Sequence, residues 1–248
     1  MSKDLLGWRA NRKMAENYIS CIEEILANEH IFSNFRNNMF YYSQILEHLS
    51  HNDGLIYGKY ILEKYPHLLN SLNEFKQNDK VGSPILYNYD KFGVINPTTL
   101  RYIKFAGDIQ SAFGDLNGMN LIEIGAGYGG LVNVLSKIYK FNSITLHDLP
   151  EAKKLQKKYL NQFNINPIID CEIKNTVTEN SIVISNYAWC ELDFETRKMY
   201  LNNLISKCKY IFMVCYDINV KEELLTLNRN NKTEIDILNP SVIFSSKK

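Results

Sequence analysis

A chain of 248 residues with 28 basic and 27 acidic side chains, formal charge +1, has room for one sizeable core and carries no electrostatic footprint for nucleic acid. Its five cysteines, Cys21, Cys171, Cys190, Cys208 and Cys215, are odd in number and show no CxxC or Cys/His metal spacing, so neither a disulfide framework nor a metal site is expected and a reducing, cytoplasmic location fits. No apolar run approaches a membrane span, and the start Met1-Ser2-Lys3-Asp4 lacks a basic segment followed by an apolar one.

Up to about residue 80, helical patches alternate with polar breaks. Ile19, Ile22, Ile25 and Leu26 recur at helical spacing, as do Ile45, Leu46 and Leu49, then Ile61, Leu62 and Tyr65 before Pro66. Residues 1–80 are expected to form a helical cap that covers a pocket or buries a homo-oligomer contact, and 81–248 a second domain. His48 and His51 lack an acidic partner motif and read as a solvated helix end rather than a metal pair. Asn78 to Pro84 is turn-rich and marks the junction. Beyond it, Tyr87-Asn88-Tyr89-Asp90-Lys91-Phe92-Gly93 mixes aromatic and polar groups, and Asn96-Pro97-Thr98-Thr99-Leu100-Arg101-Tyr102 opens a capped helix running through Ile109.

The run Leu121-Ile122-Glu123-Ile124-Gly125-Ala126-Gly127-Tyr128-Gly129-Gly130 reads as a buried strand breaking into a glycine turn, with a helix from about Leu131. Gly125, Gly127 and Gly130 satisfy GxGxxG, the dinucleotide fingerprint. Glu123, Gly125, Gly127 and Gly129 equally satisfy ExGxGxG, the pattern of S-adenosylmethionine (SAM) methyltransferases. The acid separates the two, because a carboxylate just before the turn repels a pyrophosphate and suits a cofactor carrying an ammonium and a sulfonium.

From Asn120 onward strands and helices alternate. Strands are predicted over 121–124, 143–147, 167–169, 181–185 and 210–216, with helices over 131–139, 151–163 and 194–207. That rhythm predicts an α/β fold, a Rossmann-like, doubly wound, mostly parallel sheet. Residues 233–237 and 242–244 add an edge hairpin.

Ligands of such sheets collect beyond the strand carboxyl ends. There the chain places His147, Asp148 and Leu149, with Asp148 able to accept from a ribose diol or merely to cap the next helix. Asp170 and Glu172 follow the third strand and could take an adenine amine. Ser185-Asn186-Tyr187-Ala188-Trp189-Cys190-Glu191-Leu192 follows the fourth, where Asn186 and Tyr187 can orient a ligand and Trp189 offers a flat face unless it is core.

These segments, Pro97 to Tyr102, Glu123 to Leu131, Asp148-Leu149-Pro150-Glu151 with Leu155-Gln156 and Tyr159-Leu160, and Ser185 to Leu192, together resemble the bacterial and giant-virus family usually called sugar O-methyltransferases. The resemblance runs from roughly Tyr87 to Tyr216 and implies a class I SAM-dependent methyltransferase acting on a hydroxyl of a glycan or nucleotide sugar, in polysaccharide biosynthesis, with S-adenosylhomocysteine as product and no metal. The expected cofactor site is Glu123, Gly125, Ala126, Gly127, Asp148, Leu149, Asp170 and Asn186, with Thr99 and Arg101 from the preceding helix. Arg101 would meet the SAM carboxylate or a nucleotide-sugar phosphate. Glu191, His147 and His67 are candidate bases, Glu191 first, with Tyr187 orienting the acceptor. Two other readings stay open. One is an NAD(P)-dependent oxidoreductase or epimerase using the same turn, with Tyr159 a conceivable hydride-transfer partner; the other is a non-catalytic assembly partner.

Overall fold

The structure, a computed structural model, describes residues 12–37, 46–216, 224, 227, 229–235 and 241–247. Met1 to Asp4, Ile45 and the end of the predicted 233–237 strand lie outside the described residues. In chain order come α1 (Arg12–Ala27), α2 (Glu29–Asn34), α3 (His51–Lys64), the hairpin β1 (Tyr87–Tyr89) and β2 (Gly93–Ile95), then α4 (Pro97–Phe113). The alternating region follows as β3 (Asn120–Ile124), α5 (Gly130–Leu135), β4 (Ser143–His147), α6 (Pro150–Asn161), β5 (Ser181–Asn186), α7 (Phe194–Tyr200), β6 (Tyr210–Cys215), β7 (Asn230–Ile235) and β8 (Ser241–Ser246).

Six strands make one sheet in the order β4-β3-β5-β6-β8-β7. The first four are mutually parallel, and β8 runs antiparallel between β6 and β7. The chain leaves β3 toward one edge and returns on its other side as β5, so the switch point lies beside the glycine turn. Both faces of the sheet are covered, which explains the nearly unbroken apolar strands. Leu121, Ile182, Ile184, Phe212 and Val214 pack with α4, α5, α6 and the N-terminal helices, while Ile122, Ile124, Val183, Ile211 and Met213 pack with Trp189, Tyr200 and Leu204.

Three elements differ from the sequence reading. The 167–169 strand shrinks to one bridge, Ile168 to Thr145, because Pro167 has no N–H to donate and Ile168 sits half-exposed at the sheet edge. The helix predicted to 207 stops at Tyr200 and widens into a π turn over Leu201–Ile205. The helix after the glycine turn begins at Gly130 and is only six residues long.

Before the sheet, Tyr18, Ile22 and Ile25 form the buried stripe of α1, and α3 opens with a capping box between Ser50 and Asp53. Asn96 caps α4 as its sequence predicts, accepting from the Thr98 and Thr99 N–H groups at 2.8 and 3.3 Å. The turn-rich 78–84 segment is no exposed linker. Asn78 is buried, gives its amide to Thr99 Oγ1 at 2.9 Å, and accepts from the Tyr159 hydroxyl at 2.7 Å.

Candidate functional site

β3 ends because the chain must turn where side chains do not fit. Gly125 has φ +72, and a Cβ there would lie 2.0 Å from the Ala188 Cβ; Gly127 and Gly129 share the left-handed backbone. Gly130 does not, being needed instead for close packing against Tyr102 and Tyr128. The turn opens into a cavity of about 510 Å³ at the carboxyl ends of β3, β4 and β5.

One wall of the cavity is the turn and its acids. Glu123 is 1% exposed, and its Oε2 has no hydrogen-bond partner. Burial, reinforced by the neighbouring Asp148 charge, pushes its carboxyl up to about 8. Asp148 is pushed up to about 6 by burial, against the hydrogen bonds that hold it. Those come from the Leu149 N–H at 2.8 Å and Gln156 Nε2 at 2.7 Å. The helix cap of α6 is Leu149, with no side-chain hydrogen bond, so Asp148 does not spend its carboxylate as a cap. Gln156 also donates to the Gly127 carbonyl at 3.0 Å, bracing the turn against the acid. The cavity also has an apolar lining, with Leu149, Ile173 and Leu192.

A second part of the lining is built from segments distant in sequence: Tyr18, Leu46, Tyr57, Arg101, Tyr187 and Tyr216. Arg101 is buried, with its guanidinium carbon 5.8 Å from the Tyr102 ring centre and 5.7 Å from that of Tyr187. Tyr187 takes φ 70, a backbone that costs a non-glycine residue about 1 kcal/mol or more, held by its N–H to the Val214 carbonyl at 3.0 Å. Its ring stacks on Tyr216, centroids 6.4 Å apart and planes 24° from parallel. Behind this wall Arg36 pairs with Glu47 at 2.7 Å and Asp79 at 3.6 Å, and stacks 4.8 Å over Tyr128 of the glycine turn. Glu47 adjoins Leu46, whose methyl would lie 3.2 Å from a Cβ on Gly127, so the N-terminal region braces the turn.

Of the residues singled out from sequence, Glu123, Gly125, Ala126, Gly127, His147, Asp148, Leu149, Asn186, Tyr187, Glu191 and Arg101 line this one cavity. Asn186 Oδ1 is buried without a partner. Thr99 is not at the cavity: its hydroxyl donates to Asp79 at 2.6 Å inside the buried network beneath α4. Asp170 is solvent-exposed and outside it, as is Glu172, which pairs with Lys174 at 3.1 Å. His67 is a surface residue beside Gln110 Oε1 at 2.6 Å, far from a role as base. His147 sits 2.8 Å from Thr176 Oγ1, and burial, with the Lys153 charge, pushes its imidazole down to about 4. Trp189 is wholly buried against Tyr200 and presents no face to a ligand. Tyr159 gives its hydroxyl to Asn78, which leaves it no part in hydride transfer. Sequence reasoning missed Gln156, Tyr18, Tyr57 and Tyr216. Gln156 had a local signal, eight residues and two helical turns after Asp148, and Tyr216 closes the strand predicted over 210–216. Among the described residues no cluster of His, Cys, Asp and Glu could hold a metal ion, and no helix is long and apolar enough to cross a membrane.

No known family model and no curated protein matches the chain. Solved structures similar to part of it include a SAM dependent methyltransferase from Aquifex aeolicus, at 12% identity over 56% of this chain and 88% of that one, TM-score 0.46. Others are an rRNA methylase from Streptococcus thermophilus, 16% identical over 60% and 98%, TM-score 0.45, and M. capricolum TrmK in complex with S-adenosyl-homocysteine, 14% identical over 56% and 66%, TM-score 0.42.

Proposed function

We propose that this chain is a SAM-dependent O-methyltransferase that methylates a hydroxyl of a sugar, as a glycan or nucleotide sugar, with residues 81–248 as the cofactor domain and 1–80 as its cap. The observation that carries the reading is Glu123: a buried carboxyl facing the cavity with an unpartnered oxygen, directly before a glycine turn. A pyrophosphate there would meet two carboxyls, Glu123 and Asp148, whereas a cationic amino-acid end would complete the pair and lower the cost of ionising Glu123.

The residues present fit such a cofactor. Glu123 and Asn186 would hold the ammonium, the Gly125 to Gly127 backbone the adjoining chain, Asp148 the ribose diol, and Leu149, Ile173 and Leu192 the flat base. When bound, SAM supplies a methyl group on a positively charged sulfur, which leaves as a neutral thioether once an acceptor oxygen takes the methyl. The chain's own task is to align that oxygen and remove its proton. With His147 held by Thr176 and only weakly basic, Glu191 at the cavity is the group placed to take it. Tyr187, fixed by its strained backbone, orients the acceptor, and the rings of Tyr18, Tyr57 and Tyr216 suit the apolar face and hydroxyls of a sugar.

Calorimetric titration with S-adenosylhomocysteine and with NAD tests the cofactor, with micromolar binding of the first and none of the second expected; tight NAD binding alone would overturn the reading. Incubation with labelled SAM and a pool of nucleotide sugars, followed by mass analysis for a gain of one methyl, tests the acceptor.

A further inference from the structure

Arg101 lines the cavity with no ion-pair partner of its own among the described residues, and Glu47 favours its charge only from beyond ion-pair distance. The residue is 4% exposed, and its Nε lacks a hydrogen-bond partner. Arg36, equally buried, shows the usual solution, with Glu47 and Asp79 both against it. The difference is position: Arg36 lies behind the wall and Arg101 lines the cavity. A buried cation without a hydrogen-bonded anion is costly, and one that lines a cavity can take that anion from a ligand.

Two observations say which part of a ligand reaches it. Arg101, Tyr187 and Tyr216 form a row of contacts, 5.7 Å from guanidinium to ring and 6.4 Å from ring to ring, that ends in Tyr216, a cavity-lining residue 62% exposed. The acids come from other elements: Glu123 lies near the end of β3 and Asp148 follows β4, whereas Arg101 stands on α4. An α-ammonium and its carboxylate sit on one carbon, so a cofactor whose ammonium meets Glu123 keeps its carboxylate near those acids.

We infer that the acceptor is an anionic sugar, its ring laid along Tyr187 and Tyr216 and its carboxylate or phosphate paired with the Arg101 guanidinium. This rests on the methyltransferase reading above. The planar fork of arginine matches either anion through two parallel hydrogen bonds, and the Tyr102 and Tyr187 rings both lie within 6 Å of it.

The test titrates glucose, glucuronate and glucose 1-phosphate into the chain loaded with S-adenosylhomocysteine, for the natural sequence and for Arg101→Met. The natural chain is expected to bind at least one anion about tenfold or more tighter than glucose, the size of one charged hydrogen-bonded pair. The two anions separate a uronic acid from a sugar phosphate. Arg101→Met is expected to lose the preference while its affinity for S-adenosylhomocysteine stays within about threefold, and Arg101→Lys, which keeps the charge without the fork, to retain a weakened preference. Absence of any anion preference in the natural chain overturns the inference, and decides alone where Arg101→Met does not fold. So does a fall of about tenfold in S-adenosylhomocysteine affinity in Arg101→Met with binding of 5′-methylthioadenosine unchanged, because that would place Arg101 on the cofactor's carboxylate. Failure of the natural chain to bind S-adenosylhomocysteine at all sinks the methyltransferase reading instead.

Discussion

The two walls of the cavity are made by different means. The turn wall is shaped by backbone: three left-handed glycines, two strand ends and the acids that follow from them. The cap wall is shaped by side chains brought from α1, the 46–49 segment, α3, α4 and the ends of β5 and β6, with tyrosines and a cation in place of glycines and acids. A backbone-shaped wall suits a ligand that is the same in every turnover, and a side-chain wall suits one that selection can alter by single substitutions. The first should therefore fail abruptly when changed, and the second by degrees.

Gly125→Val gives the largest expected effect. Its Cβ would overlap Ala188 and its backbone would be forced left-handed, a combined cost beyond about 3 kcal/mol, so stability falls and cofactor binding is lost. Urea unfolding and a calorimetric titration with S-adenosylhomocysteine check this, and natural affinity in the variant would contradict the cradle. Next comes the link between the walls. Arg36→Met leaves Glu47 and Asp79 buried without their cation and is expected to cost about 3–5 kcal/mol. Arg36→Met combined with Glu47→Leu should recover at least half of that in urea unfolding. No recovery would mean that Arg36 acts through its stacking on Tyr128 rather than through the ion pair.

Glu123→Gln probes the turn wall more gently. Losing the charge on the proposed ammonium partner should weaken S-adenosylhomocysteine about tenfold to a hundredfold, roughly 1.5–3 kcal/mol. Stability should move the other way. A carboxyl pushed up to about 8 holds its proton more tightly folded than unfolded, so its contribution is full below the ordinary range and is lost as pH rises through 8. His147, pushed down to about 4, has the opposite sign but is neutral in both states above its ordinary 6.5. Between pH 6.5 and 8 the natural chain should thus lose stability, and Glu123→Gln should lose less. Parallel curves in thermal unfolding would show that Glu123 is already ionised in that range.

The same contrast explains what was legible in the sequence. The turn wall could be read because its constraints are local: a strand must end, a glycine must follow, and acids at strand ends share one edge by topology alone. Asp170 failed because the strand meant to carry it is reduced to a single bridge by Pro167, leaving its carboxylate in solvent. Thr99 misses the cavity for a different reason, since one face of α4 points into the Asn78 and Asp79 network and roughly the opposite face, two residues on at Arg101, into the cavity. Tyr18 and Tyr57 had no sequence signal at all, because nothing in a helical stripe distinguishes a tyrosine that packs from one that lines a void; Tyr216 had only its place at the end of the strand predicted over 210–216. The interior role of Asn78 was not legible either. Its turn-rich surroundings read as a junction, and its amide and carbonyl also satisfy Arg36, Thr99, Asn133 and Tyr159 in the interior.

The smallest effect is the most diagnostic of how the turn wall is held. Gln156→Leu keeps the volume of a fully buried side chain but removes the donor that serves both Asp148 at 2.7 Å and the Gly127 carbonyl at 3.0 Å. The loss should cost about 1 kcal/mol in urea unfolding and raise the Kd for S-adenosylhomocysteine about threefold to tenfold, since Asp148 keeps its Leu149 N–H but is no longer tied to the turn. Asp148→Ala, which removes the carboxylate itself, should weaken binding further. If Gln156→Leu leaves the Kd unchanged while Asp148→Ala does not, the acid works alone and the glycine turn keeps its shape without the brace. If both weaken binding and the double variant is no worse than Asp148→Ala, Gln156 acts through Asp148, and the turn wall is a single cooperative unit of backbone and acid.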